Sequence, residues 1–415
     1  MMRTAAFIAV GSELLRAERV DTNSWTAARV LRGAGFLLTE KRVVEDTVEG
    51  VATAVRELVP RSALVVVSGG LGPTADDVTR EGVAAALGRT LWRHQPTGER
   101  IAARYAARGY PMPELAWRMA DVVEGAEPLA NPVGTAAGQW IALPESTLVL
   151  LPGVPSELEA MLTGLVLPRL AATSGILTRT LRLAGVYESL VEQRISHLYD
   201  RFGRENITIL AARGQVSLLL IAEGANAVDR LEEMDHELTV LAGTDLFGRD
   251  DETLASAVVA ALRHRGWTLA IGESCTGGLA ASHIVAVPGA SDVFVGGVVA
   301  YRNELKHGLL GVPELWLSAH GSVSQPVAEA MADGARTLGA SCGLGITGVA
   351  GPAGGTADKP VGTVHLAAVT PSGRRHQLHR FPGDRQMVRE LTATYALDLL
   401  RRLATFPERA DGSPT

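Results

Sequence analysis

The run LAIGESCTGGLAA, residues 269–281, sets Ser274 beside Cys275 in a loop that a strand feeds and a helix leaves. A serine becomes a nucleophile when a neighbouring base takes its proton, and a lysine whose pKa is lowered by burial or by other cations can be that base. The run GGVVAYRNELKHG offers one: a strand ends at Tyr301, and Lys306 follows shortly after. Cysteine is the better nucleophile, but it needs a base such as histidine to form thiolate, and no histidine is placed in these loops to serve. The residue types therefore select Ser274 as nucleophile and Lys306 as base, with Tyr301 as a positioning or proton-relay group and loop N–H groups as the oxyanion hole. Cys275, Thr276, Gly277 and Gly278 lie at the start of a helix, where free N–H groups and the positive dipole end suit a phosphate or an oxyanion. Ser274 as a simple helix cap is the plainer alternative.

A second loop, GITGVAGPAGGTADKPVG over residues 345–362, spends five glycines between Gly348 and Gly362. A surface hairpin needs fewer, so the backbone there is expected to approach a ligand closely. The pair His376 and His379 in HQLH has the spacing of metal ligands, but in a strand such residues point to opposite faces, and both read as surface residues.

A different chemistry is suggested by SGGLGPTADD, residues 68–77. The turn of Gly69, Gly70 and Gly72 lets amides meet an anion, and Thr74, Asp76 and Asp77 add a hydroxyl and paired carboxylates suited to a hard cation such as Mg²⁺. A pyrophosphate-bearing ligand would use both, while an Asx-rich helix start explains the same residues structurally. In PGVPSELEAM, Ser156 and Glu159 have the spacing of a capping box, which leaves Glu157 and, in GSELL, Glu13 as further candidate carboxylates.

The elements that must position these residues are α/β. Strands AAFIAV, ALVVVS and TLVLLP, with helices SWTAARVLRGAG and TVEGVATAVRELV between the first two, predict a largely parallel sheet over residues 1–168. Both SGGLGPTADD and PGVPSELEAML leave strand carboxyl ends, where open α/β sheets place ligands. RLAATSGILTRT, residues 169–180, reads as a linker opening a small α+β unit over 169–248, with TLRLAGV, ESLVEQRISHLYDRF, ITILAA and VSLLLIAEG. After the polar passage GTDLFGRDDET, strands WTLAI, VFVGGVVAY, CGLGIT and GTVHLAAVT alternate with helices in a second α/β domain over 249–415, whose tail TFPERADGSPT is expected to fray.

Bulk properties narrow the function classes. Of 415 residues, 47% are hydrophobic and 20% charged, which fits packed cores rather than disorder. A net charge of -6 without a dense basic block argues against direct nucleic-acid contact. The longest apolar runs are strand-sized, so no membrane helix is expected, and the N-terminal run reads as a first strand rather than a signal peptide. Two cysteines, Cys275 and Cys342, without metal spacing fit a reducing cytoplasm.

The stretch ESCTGGLAASHIVAVPGASDVFVGGVVAYRNELK, together with HGSVSQPVAEAMADGA and GITGVAGPAGGTADKPVGTVH, resembles the CinA C-terminal domain, the nicotinamide mononucleotide deamidase family. The resemblance implies hydrolysis of the carboxamide of nicotinamide mononucleotide to nicotinate mononucleotide and ammonia, in pyridine nucleotide salvage. It places Ser274, Tyr301, Lys306 and Thr347 in the active site, adds Asn303, Gly348 and Gly351 as substrate contacts, and adds an arginine of GDRQMVRE, for which Arg389 is chosen over Arg385. No cofactor is implied there. GSELL, DTNS, SGGLGPTADDVTREGVA, NPVGTAAG and LPGVPSELEAM resemble the molybdopterin-binding-like domain that opens full-length CinA proteins, and the middle unit resembles their KH-like connector. That resemblance implies an ADP-ribose pyrophosphatase using a divalent metal, Mg, Mn or Co, held by Asp76, Asp77, Glu13 and Glu157, with Gly69, Gly70, Gly72 and Thr74 on the substrate. Ser12 stands where relatives commonly carry Asp, and Ala17 where Gly is usual. The alternatives are a molybdopterin- and nucleotide-binding protein of cofactor synthesis, or a non-catalytic competence-related partner. The expected partners are small nucleotides and a second copy in a homodimer, with neither nucleic acid nor membrane.

Overall fold

The computed structural model of the chain describes residues 3–170 and 176–406. It divides into two compact units, Met1–Thr178 with Ala222–Val228 and Arg179–Ile221 with Asp229–Thr415.

In the first unit, β1 (Arg3–Val10), β2 (Phe36–Val44), β3 (Leu64–Ser68), a short ribbon of β4 (Leu91–Arg93) and β5 (Asp121–Val123), then β6 (Glu127–Leu129), β7 (Gly138–Ala142) and β8 (Thr147–Leu151) follow in chain order. Six of them form one sheet in the order β2-β1-β3-β8-β7-β6. The pairs of β1 with β2 and β3, and of β3 with β8, are parallel. Parallel strands are covered on both faces, which is why β1 and β3 read as unbroken apolar runs. The pleat divides β1: Ala6, Ile8 and Val10 pack with Val51, Val55 and Leu58, while Ala5, Phe7 and Ala9 pack with Leu31, Leu158 and Met161. The chain leaves β1 for β2 on one side and returns to β3 on the other, so the loops after β1 and β3 open at a point where strand order reverses. That is where ligand crevices form in such sheets.

The second unit holds two sheets. One joins β9 (Ile176–Ala184), β10 (Ile207–Ala212), β11 (Gln215–Glu223) and β12 (Leu246–Arg249) in the order β10-β11-β9-β12. The other joins β13 (Leu269–Glu273), β14 (Phe294–Val299), β15 (Cys342–Gly348), β16 (Thr363–Thr370) and β17 (Gly373–Arg380) in the order β14-β13-β15-β16-β17. Its β13–β14 and β13–β15 pairs are parallel, and β16 and β17 complete it antiparallel.

The architecture is thus mixed α/β in both α/β regions, with a small α+β connector. Two stretches expected to connect domains carry strands. The stretch read as a linker carries β9 from Ile176 onward, residues 171–175 lying outside the described ones, and the polar passage at 243–253 carries β12, which pairs with β9. A short strand with only Leu246 and Phe247 apolar leaves little periodic signal. The tail beyond residue 406, expected to fray, lies outside the described residues. No helix among the described residues is long and apolar enough to cross a membrane.

Within this unit the C-terminal helix Arg385–Thr405 is riveted to the connector by a buried charge network. The Asp398 carboxylate accepts from Arg401 Nε at 2.9 Å and Arg402 Nε at 2.6 Å. Those guanidiniums donate onward to the Thr244 carbonyl at 2.7 Å, the Ala184 carbonyl at 2.8 Å and the Asp245 carboxylate at 2.8 Å. Charge-assisted bonds of this kind satisfy each buried ion.

Candidate functional site

The carboxyl ends of β13, β14 and β15 meet at one edge of their sheet, again at a reversal of strand order. The loop after β13 is pinned by the Ser274 N–H donating to the Ile346 carbonyl of β15 at 3.0 Å, and the loop after β14 by the Ala300 N–H donating to the Glu273 carbonyl at 2.8 Å. Lys306 lies on the helix Asn303–Leu310 and turns inward, only 2% exposed. Its ammonium donates to the carbonyls of Ala300 at 3.0 Å and Tyr301 at 3.2 Å, and it interacts electrostatically with Cys275. Ser274 and Lys306 are therefore brought to the same end of β13. Desolvation pushes the Lys306 pKa below its usual value, the shift a general base requires.

Cys275 points the other way, into the hydrophobic core with Leu269, Ile284 and Val388, and burial pushes its thiol up to about 12. A thiol held so high is not a thiolate near neutrality. Its thiol is thus not available to substrate, which leaves the backbone N–H as the contact expected of Cys275.

Glu273, which the sequence reading passed over, organises this loop. It is 1% exposed, and its carboxylate accepts the N–H groups of Gly278 at 2.9 Å, Ala280 at 3.3 Å and Ala281 at 2.8 Å. These are the orphan donors of the helix Leu279–Val285, whose cap residue is Gly278. The helix start is thus already occupied by a carboxylate from within the chain. Ser274 is not its cap, and of the N–H groups offered to an anion that of Gly278 is held by Glu273 and that of Gly277 by the Ser274 carbonyl at 3.1 Å.

The remaining expected residues are placed as follows. Tyr301 is 55% exposed, and its hydroxyl accepts from Arg385 at 2.7 Å. Arg385 also donates to the Gly351 carbonyl at 2.8 Å, so it links the β14 exit to the glycine-rich loop. Arg389 donates instead to the Thr276 carbonyl at 2.8 and 3.2 Å. Both arginines of GDRQMVRE reach the site. Asn303 opens its helix at an exposed position, and the Thr276 side chain is buried with a hydroxyl lacking a partner. Thr347 is 1% exposed and donates to the Ser322 carbonyl at 2.7 Å, fastening the segment before the helix Gln325–Arg336 over the end of β15.

Two glycines of the second loop are needed by the packing of the chain itself. A Cβ on Gly362, at φ +92°, would stand 2.0 Å from the Phe381 carbonyl oxygen, and one on Gly348 would stand 2.7 Å from Val364. Close approach to neighbouring strand residues by itself requires glycine at these two positions.

In the first unit, a cleft of about 610 Å³ at the carboxyl ends of β1, β3 and β8 is lined by Glu13, Asp46, Gly69, Gly72, Asp76 and Glu157 among others. Gly69, at φ +105°, brings the loop within reach of the Val10 carbonyl, where a Cβ would sit 2.2 Å away. Asp77 braces the loop: one oxygen accepts from the Gly72 N–H at 2.7 Å, the other from the Thr74 N–H at 2.8 Å and hydroxyl at 2.5 Å. Arg80, 1% exposed, supports it from below by donating to the Leu71 and Gly72 carbonyls, both at 2.8 Å. Glu157 accepts from Asn131 at 2.6 Å. Asp76 stays exposed, with its pKa lowered first by the Thr74 hydroxyl.

These carboxylates share a cleft without forming a cage. Among the described residues no three His, Cys, Asp or Glu side chains form a group able to hold a metal ion. With Asp77 and Glu157 already accepting hydrogen bonds from the chain, Asp76, Asp77, Glu13 and Glu157 do not fit a resident metal. The capping box is also corrected: the helix Pro155–Met161 starts at Pro155 after Val154 without a side-chain cap, and Glu159 pairs with Arg29.

Comparison with known proteins supplies the family. Residues 251–404 match the CinA C-terminal domain, 178–248 the Damage-inducible protein CinA KH domain, and 6–172 the domain described as "Probable molybdopterin binding domain". A CinA-like protein of Acidobacterium capsulatum is 41% identical over 409 residues, covering 96% of this chain and 99% of the relative. The chain belongs to the CinA family. A CinA-like protein of Frankia casuarinae is 39% identical over 432 residues, covering 99% of this chain and all of the relative. Among solved structures, the protein CinA with unknown function from Thermoplasma acidophilum is 34% identical, covering 41% of this chain and 98% of its own, at a TM-score of 0.39.

Ser12 and Ala17, expected to depart from the family pattern, each have a consequence in the structure. Ser12 exchanges hydrogen bonds with Asp46, its N–H donating to the carboxylate at 2.7 Å and its hydroxyl accepting from the Asp46 N–H at 3.3 Å. An aspartate at 12 would face that carboxylate. Ala17 sits at φ +58°, a left-handed conformation that costs an alanine roughly 1 kcal/mol relative to glycine. Ala17→Gly relieves that strain but adds roughly 0.4–1 kcal/mol of chain entropy to the unfolded state, so it is expected to stabilise the first unit by no more than about 0.5 kcal/mol, read from the urea midpoint. A midpoint lowered by the full entropy cost of glycine would show that the strain is absent.

Proposed function

We propose that the C-terminal part of this CinA protein is a nicotinamide mononucleotide amidohydrolase. The observation that carries the reading is Lys306, buried with a lowered pKa at the same end of β13 as Ser274. Ser274 Oγ attacks the carboxamide carbon while Lys306 in its amine form takes the hydroxyl proton. Loop N–H groups receive the negative charge that develops on the carboxamide oxygen. Collapse of the tetrahedral intermediate breaks the C–N bond, and Lys306 returns the proton so that nitrogen leaves as ammonia. Water, deprotonated by Lys306, then cleaves the ester to nicotinate mononucleotide and restores Ser274. Arg385 holds the Tyr301 hydroxyl at the rim, where both can orient the nucleotide.

The test is ammonia release by the purified chain, its Ser274→Ala variant and its Cys275→Ala variant. Loss in the serine variant alone supports the reading. No release by the parent sinks it and leaves the ESCTGG loop as a nucleotide-binding element.

For the first unit the reading is cleavage of ADP-ribose at its pyrophosphate, supported by a cleft whose rim combines glycine amides with carboxylates. Asp77→Asn is expected to lower that cleavage at least tenfold, because one face of an amide donates and cannot accept from Gly72 and Thr74 together. An intact rate in this variant would remove the loop from the reaction. Products other than AMP and ribose phosphate would favour a pterin- and nucleotide-binding role.

A further inference from the structure

His365 and His376 form a pair that neither proposed reaction uses. His365 lies on β16 and His376 on β17, one ladder step apart: His376 is opposite Ala367, and His365 is opposite Thr347 on the next strand. Both project to the side covered by the helix Gln325–Arg336, where Ala367 packs with Ala328 and Ala332. His379 is opposite Val364 and points to the other face, where it stacks on Phe381 and meets the edge of Tyr395. The expectation that His376 and His379 face opposite sides holds, but neither is a plain surface residue, since both are half-buried.

Nδ1 of His365 stands 3.0 Å from Nε2 of His376. Metal–nitrogen bonds of about 2.0–2.1 Å set neighbouring ligand nitrogens about 2.9 Å apart in square-planar and about 3.3 Å apart in tetrahedral coordination. The two ring nitrogens are thus at the spacing of a ligand pair, but the ring centroids, 5.2 Å apart, set them head-on in a hydrogen bond, so each imidazole must turn by roughly 40° to aim its lone pair at a shared cation. Glu329, on the covering helix, adds a negative charge that His376 senses, while the Lys359 ammonium near His365 is engaged by the His320 carbonyl at 2.6 Å.

We propose that His365 and His376 bind a divalent transition metal, Cu²⁺, Zn²⁺ or Ni²⁺, as a cross-strand two-histidine site, with water completing its coordination. In the free chain one imidazole donates its proton to the other nitrogen. On binding, that imidazole moves the proton to its outer nitrogen, both inner lone pairs face the cation, and no net proton leaves. Because His365 is the ladder partner of Thr347, the site adjoins the end of β15 without including the groups assigned to catalysis.

The experiment is Cu²⁺ titration of the untagged full chain, followed by electron paramagnetic resonance, with Zn²⁺ as competitor. One equivalent per chain with two-nitrogen coupling is expected. His365→Gln and His376→Gln should each weaken it at least tenfold, and His379→Gln, on the same strand but the opposite face, should leave it unchanged. A parent chain that binds no Cu²⁺ at micromolar concentration, an undiminished site in either pair variant, or equal loss in His379→Gln overturns the proposal. The readout is the metal itself, so it is independent of whether the chain releases ammonia.

Discussion

Ammonia release from nicotinamide mononucleotide is expected to fall about a thousandfold or more in both Ser274→Ala and Lys306→Met, with nucleotide binding retained. In the proposed mechanism the two side chains act as one unit, so the double variant should lose little more than either single one. Lys306→Arg should be as inactive as Lys306→Met, because a guanidinium does not give up its proton near neutrality. Cys275→Ala should keep most of the activity and lose stability, by roughly 1–2 kcal/mol, since its thiol fills core space rather than facing the loop. The rate should rise with pH as Lys306 loses its proton, reaching a plateau below the ordinary lysine value of 10.5 because burial depresses the folded-state pKa. Stability follows the same sign. Between the depressed value and 10.5 the unfolded chain holds more protons than the folded one, so stability rises with pH across that window, and Lys306→Met should abolish the rise. Unchanged turnover in Ser274→Ala would remove the nucleophile assignment.

The sequence carried the strands that end at these loops because a parallel strand covered on both faces must be apolar throughout, as β1 and β3 are. It also brought Ser274 and Lys306 forward, because residue type and loop position suffice to nominate a nucleophile and a base. It did not reveal which loop groups were already engaged. Asp77 and Glu273 are acidic residues of loops and strand ends in the sequence, and only the fold shows their carboxylates turned back onto backbone N–H groups. Arg80 reads as a solvated residue of a helix start, yet it is buried beneath the glycine turn, because the fold of that turn aims two carbonyls at it. The choice of Arg389 over Arg385 failed to separate them for a similar reason. The helix Arg385–Thr405 starts at Arg385, so both residues lie in its first turns facing the loops, one toward Tyr301 and one toward Thr276. Edge strands such as β2 and β12, part charged and part apolar, lack the pattern that marks a covered strand.

The second large effect is expected at Glu273. Its carboxylate is buried and receives three N–H groups at the start of the helix Leu279–Val285, directly before the proposed nucleophile. Glu273→Ala leaves those donors without an acceptor inside the fold, at a cost of about 3–5 kcal/mol if they stay dry. It also frees the loop that fixes Ser274, so ammonia release should drop at least a hundredfold. Glu273→Gln separates the two contributions. The amide oxygen can still accept from Ala281, but its NH₂ group would face the donors of Gly278 and Ala280, so half of the arrangement is replaced by a clash of like dipoles. Glu273→Gln should therefore be destabilised less than Glu273→Ala and still lose most of its kcat, with KM changed little because the carboxylate meets the loop and not the nucleotide. Added inorganic phosphate provides a further distinction. With Glu273 present the helix start is filled, whereas in Glu273→Ala it becomes an anion site, so phosphate should raise the melting temperature of the alanine variant more than that of the parent. Equal responses to phosphate, together with an unaltered kcat in Glu273→Gln, would mean that the carboxylate neither holds the nucleophile loop nor closes the helix start to substrate.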